Sequence, residues 1–145
     1  MHRIMFVCHG NICRSTMAES VFTELVRRAE RAGEFVIDSA ATSTEEIGNP
    51  PHHGTVAKLR EVGIPVVAHR ARQARRAEYG DWNHIVYMDA ENARGLRRIF
   101  GDDPDGKISV GGKKYRMERF WKEDRVFLEK HYLFPIPTEE LQRAN

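Results

Sequence analysis

The sequence predicts one α/β domain, with a doubly wound, four-stranded parallel sheet and helices on both of its faces. Short apolar segments alternate along the chain with segments of helical periodicity, which is the order that strand–helix–strand units produce. Two of these segments, residues 3–7 and 84–88, are apolar on both faces, as expected of strands covered by helices. A length of 145 residues with 41% hydrophobic residues suits a single globular domain.

The first half of the chain predicts two strands and two helices. A strand at residues 3–7 runs into a Gly/Asn turn, and helix-forming residues follow from Ser15 to Ala32. Glu24 is expected to face water, and Gly33 to end this helix. The stripe expected to be buried consists of Met17, Val21, Leu25 and Ala29, with Phe22 alongside. A strand at residues 35–38, a loop at 39–51 and a helix at 53–62 come next.

The second half predicts an extended segment at residues 64–68 and a short helix at 73–78. A strand at 84–88 leads into a helix at 90–100 that Asp89 is expected to cap, and a weaker strand follows at 107–110. In parallel sheets, ligands bind outside the carboxyl ends of the strands. Cys8, Ser39 and Asp89 are expected to lie at such ends.

Residues 8–15 read Cys-His-Gly-Asn-Ile-Cys-Arg-Ser, and they contain the residues predicted to be catalytic and to bind phosphate. A loop wrapped around the start of a helix points backbone N–H groups inward, and the helix dipole makes this cavity a cradle for an anion. Gly10 is expected to allow the tight curl. The guanidinium of Arg14 can hold two phosphate oxygens at once. The residues expected to bind phosphate are His9, Gly10, Asn11, Ile12, Cys13 and Arg14.

The same positive field favours a thiolate, so Cys8 is predicted to be the nucleophile. The hydroxyl of Ser15 is placed to donate a hydrogen bond to that sulfur. The implied reaction is in-line attack on phosphorus, a phosphocysteine intermediate and its hydrolysis. For Cys13 two interpretations stay open: it packs beneath the loop, or it forms a reversible disulfide with Cys8 and protects it from oxidation.

This segment resembles the nucleophile loop of the low-molecular-weight protein tyrosine phosphatases, and the resemblance runs over residues 3–109. Residues 38–43 are similar to the second-strand exit of that family, and residues 69–73 to a segment that carries a histidine. The resemblance implies that Cys8, Arg14 and Ser15 act on phosphate. It also implies that Asn11, Ser39 and His69 hold the loop in shape.

The chain departs from that family after residue 109, so residues 110–145 form an atypical tail, expected to pack on the same domain as the core of residues 1–109. The family's general acid is an aspartate in an Asp-Pro-aromatic stretch after the fourth strand. Here Asp103-Pro104 comes before that strand. Without a positioned acid, turnover of substrates with poor leaving groups is expected to be slow. The nearest acids in the replaced segment are Glu118, Glu123 and Asp124.

The predicted function is hydrolysis of phosphotyrosine in proteins, or of small aryl phosphates. A weakened protein that only binds phosphate or phosphotyrosine is one alternative. Arsenate reduction is another, and it needs relay thiols, for which Cys13 alone is available beside Cys8.

Composition limits partners and location. A net charge of +2 does not call for nucleic acid, and the arginines at residues 70–76 and 94–98 are interpreted as solvated faces. No cofactor is expected, and no metal, because Cys8, His9 and Cys13 lack a second pair of ligands. The chain has no membrane-length apolar run. Two cysteines without a leader segment favour the cytoplasm.

Overall fold

A computed structural model describes residues 1–111 of the chain. The four strands form one parallel sheet, in which the second and third strands lie on either side of the first and the fourth lies beyond the third, and this confirms the predicted architecture. The predicted tail and its packing on the core lie outside the described residues. Within residues 1–111, no helix is both long and apolar enough to cross a membrane. The elements are β1 (His2–Cys8), α1 (Arg14–Arg28), β2 (Phe35–Ala41), α2 (His53–Glu61), β3 (His84–Tyr87), α3 (Ala90–Phe100) and β4 (Ile108–Val110), with 3₁₀ helices at Ala32–Glu34 and Arg76–Asp81.

The central strand β1 is buried on both faces. Ile4 and Phe6 join a hydrophobic cluster with side chains of α1 and α2, whereas Met5 and Val7 join a second cluster with side chains of α3. Alternate residues of a strand point to opposite faces, so an unbroken apolar run is what a strand between two helical layers requires. This burial fixes the end of β1, and with it the position of Cys8.

Helix α1 differs from its prediction at both ends. It begins at Arg14 and ends at Arg28, rather than running from Ser15 to Ala32. The turn that follows contains Glu30 in the left-handed region, with φ 59°, so Glu30 rather than Gly33 marks the end of the helix. The predicted apolar stripe is otherwise confirmed, because its members are buried or packed against the core.

The expectation that Glu24 faces water is wrong. Its side chain is buried, and it accepts hydrogen bonds from Arg27 Nε at 2.6 Å and from Arg28 Nε at 3.0 Å. The hydrogen bond from Arg27 is the main cause that lowers the pKa of Glu24 to about 2. Two arginines one turn away thus make burial of this carboxylate tolerable.

Strand β2 is longer than predicted, and this moves Ser39. The strand continues to Ala41, so Ser39 lies within it, paired with Phe6, and not beyond its end. The predicted helix at residues 73–78 is instead a 3₁₀ helix at Arg76–Asp81. Residues 64–68 do not join the sheet.

Helix α3 starts where the sequence predicts. The Asp89 carboxylate accepts a hydrogen bond from the Asn92 backbone N–H at 2.9 Å, which caps the helix. In the middle of α3, a Cβ on Gly95 would lie 2.7 Å from Cβ of Thr42. This close approach brings α3 against the chain leaving β2. The start of α3 therefore lies beside the carboxyl ends of β1 and β2.

Candidate active site

Cys8 is the last residue of β1, and α1 begins at Arg14. Cys8 is 4% exposed, so its thiol lies at the base of the loop that connects β1 to α1. The Cys8 Sγ atom is 3.1 Å from Ser15 Oγ and accepts a hydrogen bond from the Asn11 backbone N–H at 3.3 Å. The sulfur thus lies beside a backbone N–H group, a hydroxyl group and the positive end of α1.

Ser15 has a hydroxyl proton that it can donate to Cys8. Ser15 is fully buried, and its Oγ accepts a hydrogen bond from Asn11 Nδ2 at 2.8 Å. This contact leaves the single hydroxyl proton of Ser15 available for Cys8 Sγ, 3.1 Å away. A hydrogen bond in that direction would stabilise negative charge on sulfur.

Asn11 connects the loop to the strands beneath it. Its buried amide Nδ2 donates to Ser15 Oγ and, at 2.9 Å, to Ser39 Oγ. Its Oδ1 accepts from His69 Nε2 at 2.7 Å and from the Arg72 backbone N–H at 3.2 Å. Every hydrogen-bonding position of the amide is used. We call Asn11, Ser15, Ser39 and His69 the floor network.

The residue that makes the loop curl is Asn11, not Gly10 as the sequence suggested. Asn11 has φ 60°, a left-handed conformation that asparagine tolerates better than most residues, whereas Gly10 does not have a positive φ. The small size of Gly10 serves a different purpose. A Cβ there would lie 3.3 Å from Cγ of Glu46, so Gly10 lets the segment after β2 approach the loop.

A layer of ionisable side chains lies below the floor network. Ser39 Oγ donates to Glu19 Oε1, and His69 Nδ1 is 3.6 Å from carboxylate oxygens of both Glu19 and Asp38. Burial raises the pKa of Glu19 to about 7, and burial also lowers the pKa of His69. Glu19, Asp38 and His69 are residues of the metal-ligating types. Because Ser39 and Asn11 already engage Glu19 and His69, we assign no metal to them.

Arg72 ties this layer to the loop. Its guanidinium donates to Asp38 Oδ2 at 3.0 Å and to Glu78 Oε2 at 2.9 Å, while its backbone N–H reaches Asn11. Glu78 is buried, and burial raises its pKa, but the hydrogen bonds from Arg72, the Arg75 backbone N–H and Trp82, together with the Arg72 charge, outweigh burial, so the pKa is lowered. The prediction that residues 70–76 form a solvated face is therefore wrong for Arg72. Its charge is used inside the domain.

Arg14 lies at the opening of the loop. Its Nη1 is 2.8 Å from Asp89 Oδ2, and the two side chains are 37% and 41% exposed. Burial raises the pKa of Asp89, but the Asn92 N–H and the Arg14 guanidinium outweigh it and the pKa is lowered. One carboxylate thus caps α3 and holds one side of the guanidinium.

Cys13 is the residue before α1, and it is exposed. The interpretation that it packs beneath the loop is therefore wrong. Desolvation by neighbouring atoms, followed by repulsion from Cys8, raises the pKa of the Cys13 thiol. Next to it, the Ile12 carbonyl accepts a hydrogen bond from the His52 backbone N–H at 2.8 Å. This bond fixes the outer side of the loop.

The acids weighed for proton transfer fall partly inside and partly outside the described residues. Glu118, Glu123 and Asp124 lie outside the described residues. Asp103 lies between α3 and β4, as its place in the sequence indicates. Its carboxylate accepts hydrogen bonds from the backbone N–H groups of Lys107 at 2.9 Å and Ile108 at 3.1 Å, so it stabilises that turn.

Sequence reasoning missed three supporting residues: Glu19, Asp38 and Arg72. Glu19 lies four residues after Ser15, one helical turn along the same face of α1, so its spacing was a usable indication. Asp38 directly precedes Ser39. Arg72 gave no such indication, since its partners Asp38 and Glu78 come from separate segments.

Fold and site together define a doubly wound α/β protein with a cysteine at the end of its first strand and an arginine opening its first helix. The profile of the low molecular weight phosphotyrosine protein phosphatase family matches residues 3–115. The chain belongs to this family.

Individual relatives agree with this assignment. The chain is 44% identical over 101 residues to the low molecular weight protein-tyrosine-phosphatase YfkJ of Bacillus subtilis, covering 70% of this chain and 65% of the relative. It is 43% identical over 95 residues to the low molecular weight phosphotyrosine protein phosphatase of Homo sapiens, covering 66% of this chain and 60% of the relative. The chain thus spans less than two thirds of the length of these two relatives.

Solved structures share the fold. The crystal structure of YfkJ from Bacillus subtilis superposes with a TM-score of 0.72 at 41% identity, over 76% of this chain and 69% of that one. A low molecular weight protein tyrosine phosphatase from Streptococcus pyogenes, SP-PTP, gives 0.72 at 28% identity, over 99% and 88%.

Proposed function

We propose that this protein hydrolyses phosphomonoesters, phosphotyrosine in proteins above all, through a phosphocysteine intermediate on Cys8. The observation that carries the proposal is the environment of Cys8 Sγ, which meets Ser15 Oγ at 3.1 Å and the Asn11 N–H at 3.3 Å, just before the helix that Arg14 opens. A thiolate in this position has the charge and the setting of a nucleophile. The names of the relatives support the substrate class.

In the first step the Cys8 thiolate attacks phosphorus, the S–P bond forms, and the bond from phosphorus to the phenol oxygen breaks. The Arg14 guanidinium binds two of the non-reacting oxygens, and the helix N-terminus supplies further positive field. The leaving oxygen takes a proton from an acid, or departs as phenolate when the phenol is activated. Arg14 thus stabilises charge on the transferring group.

In the second step water attacks phosphorus, the S–P bond breaks, and inorganic phosphate and a proton are released. The sulfur leaves as a thiolate. The Ser15 hydroxyl, whose Oγ lies 3.1 Å from Sγ, donates its proton to that leaving group and stabilises it. The same hydrogen bond therefore assists both steps, because sulfur carries negative charge at the start of the first step and at the end of the second.

The rate depends on a proton donor for the leaving phenol. Positioned proton transfer is worth about 10²–10⁴-fold. If none of Glu118, Glu123 and Asp124 supplies it, phenyl phosphates with activated leaving groups are hydrolysed and phosphotyrosine is hydrolysed slowly. The limiting case is the alternative in which the protein binds phosphate or phosphotyrosine with little turnover.

For Cys13 we propose the role of resolving thiol, in which it forms a disulfide with oxidised Cys8. The exposure of Cys13 makes this disulfide accessible to reductants.

The arsenate reductase alternative would need a thiol relay, and the chain contains two cysteines. Thiol-dependent reduction of arsenate in place of phosphatase turnover would favour that alternative.

The experiment is steady-state hydrolysis of para-nitrophenyl phosphate and of a phosphotyrosine peptide, with Cys8→Ser as the matched variant. We expect turnover of both by the wild type and a loss on the order of 10⁴-fold or more in Cys8→Ser. A fall in peptide turnover at high pH, with less change for para-nitrophenyl phosphate, would indicate a carboxyl or other acid that protonates the phenol. Phosphate binding without Cys8-dependent turnover would contradict the proposed phosphatase activity and support the alternative of a phosphate-binding protein.

A further inference from the structure

The side chain of His9 joins three parts of the molecule at the mouth of the proposed site. His9 directly follows Cys8, and its carbonyl accepts hydrogen bonds from Ser43 N at 3.1 Å and Ser43 Oγ at 2.8 Å. Its ring Nε2 is 3.0 Å from Glu45 Oε2, and its Nδ1 is 3.2 Å from Glu91 Oε1. We call His9, Glu45 and Glu91 the clasp. It connects the nucleophile loop, the segment after β2 and the first turn of α3.

The clasp is accessible to a partner. The side chains of His9, Glu45 and Glu91 are 42%, 68% and 62% exposed. Both ring nitrogens of His9 face a carboxylate, and an imidazole ring carries at most one positive charge. The two negative charges of the clasp therefore exceed the charge of the ring. The clasp thus presents net negative charge to whatever enters the mouth.

Neighbouring charges strengthen this bias. Glu46 lies against Gly10, and its carboxylate accepts a hydrogen bond from Asn49 Nδ2, while Asp89 pairs with Arg14. When Arg14 binds phosphate, its charge is shared with that ligand. Arg70 donates a hydrogen bond from Nη1 to the Gly48 carbonyl at 3.1 Å. A bound phosphoryl group would therefore be flanked by carboxylates on two walls, the segment after β2 and the start of α3.

The segment after β2 offers no aromatic side chain that could stack on the ring of a substrate. Residues 43–50 contain no aromatic residue. Ile47 is the exposed apolar side chain in this segment, at 57%. Discrimination between substrates at this wall must therefore come mainly from charge, which steers and selects partners more than it tightens binding.

We infer that the clasp determines specificity in the proposed reaction: it rejects phosphopeptides with acidic residues beside the phosphotyrosine and favours those with Lys or Arg there. The inference rests on the proposed function. It gives that site a substrate class, a phosphotyrosine peptide with basic flanking residues, and assigns the selection to His9, Glu45 and Glu91.

The test compares kcat/KM for two phosphotyrosine peptides that differ only in their flanking residues, two Lys in one and two Glu in the other. We expect the wild type to prefer the basic peptide about tenfold, since exposed charge pairs are individually weak. The double variant Glu45→Gln/Glu91→Gln should reduce this ratio to about twofold. Glu61→Gln, which removes a similarly exposed carboxylate paired with Lys58 on α2, should leave the ratio unchanged.

His9→Gln is the complementary variant. It removes the ring that both carboxylates contact and leaves the two carboxylates in place, so the preference for the basic peptide should be at least as large as in the wild type. Added salt should decrease the preference of every variant that has one. A wild-type ratio near one, or a ratio that the double variant does not change, would overturn the inference.

The inference and the proposed function can fail separately. Absence of Cys8-dependent turnover of para-nitrophenyl phosphate would refute the proposed phosphatase activity. The peptide ratio is then measured as the ratio of dissociation constants for the Cys8→Ser variant, in which the same walls face the bound phosphotyrosine. Equal binding of the two peptides would overturn the inference; stronger binding of the basic peptide, reduced by Glu45→Gln/Glu91→Gln, would support it without catalysis.

Discussion

The floor network and the clasp lie on opposite sides of the same loop and are built differently. In the floor network, Asn11, Ser15 and Ser39 are fully buried, and the Asn11 amide uses every hydrogen-bonding position. In the clasp, the side chains of His9, Glu45 and Glu91 are between 42% and 68% exposed and meet through ion pairs. Buried, fully paired polar groups fix one geometry, whereas exposed charges tolerate change. The floor should therefore determine rate and the clasp selectivity.

The largest expected effect of breaking the floor comes from Asn11. Asn11→Ala removes four side-chain hydrogen bonds and places alanine at φ 60°, whereas Asn11→Gly removes the same bonds and accepts that φ. We expect kcat to fall on the order of 10²-fold in both. Urea unfolding should show alanine less stable than glycine by about 1–2 kcal/mol. If glycine restored wild-type kcat, the backbone conformation alone would matter and the floor account would be wrong.

The pH dependence of folding stability tests the role of Glu19 in the layer of ionisable side chains below the floor network. Its pKa is raised from 4.5 to about 7, so the folded state holds a proton that the unfolded state releases, and this group makes stability fall as pH rises from 4.5 to 7. Glu19→Gln keeps an oxygen for Ser39 Oγ and removes the titration. Its stability relative to wild type should therefore increase across this range, by up to about 3 kcal/mol.

Urea titrations at the two ends of that pH range measure this difference, with Glu61→Gln as the control for removing an exposed carboxylate. The lowered pKa of His69 contributes an opposite slope in both proteins, because its folded state loses a proton earlier than the unfolded state. A pH-independent difference between Glu19→Gln and wild type would show that Glu19 does not titrate in this range.

Asp89 lies between the two regions, and its expected effect is smaller. Asp89→Asn keeps an oxygen that can cap α3 and removes the charge beside Arg14; Asp89→Ala removes both. We expect kcat to fall severalfold in both variants, because the guanidinium loses the partner that orients it. Alanine should lower stability by about 1 kcal/mol more than asparagine. Wild-type kcat in Asp89→Asn would show that Arg14 does not need this ion pair.

The sequence was most informative where one local pattern decides the structure. The apolar run of β1, the capping aspartate of α3 and the spacing of Cys8 and Arg14 each depend on neighbours in the chain, and each is found where predicted. The contact between Asn11 and His69 joins residues 58 positions apart, and it was anticipated through family resemblance rather than through periodicity.

The predictions that were wrong share a physical cause: contacts with residues from other parts of the structure determine the environment of these side chains, and a local sequence pattern does not contain those contacts. Glu24 looked solvent-facing because the helical stripe was read without Arg27 and Arg28, which pair with it. Arg72 looked like part of a basic surface until Asp38 and Glu78 were brought to it by two other segments. The sequence points to Gly10 for the curl because three of the four hydrogen bonds of the Asn11 side chain, those with Ser39, His69 and Arg72, come from other parts of the fold.

The central claim is that Cys8 forms the covalent intermediate, and rapid-quench mass spectrometry tests it most directly. Wild-type protein mixed with para-nitrophenyl phosphate and quenched in acid should carry a phosphoryl group on the peptide that contains Cys8, and Cys8→Ser should carry none. Turnover without that adduct, or an adduct on another residue, would contradict the account.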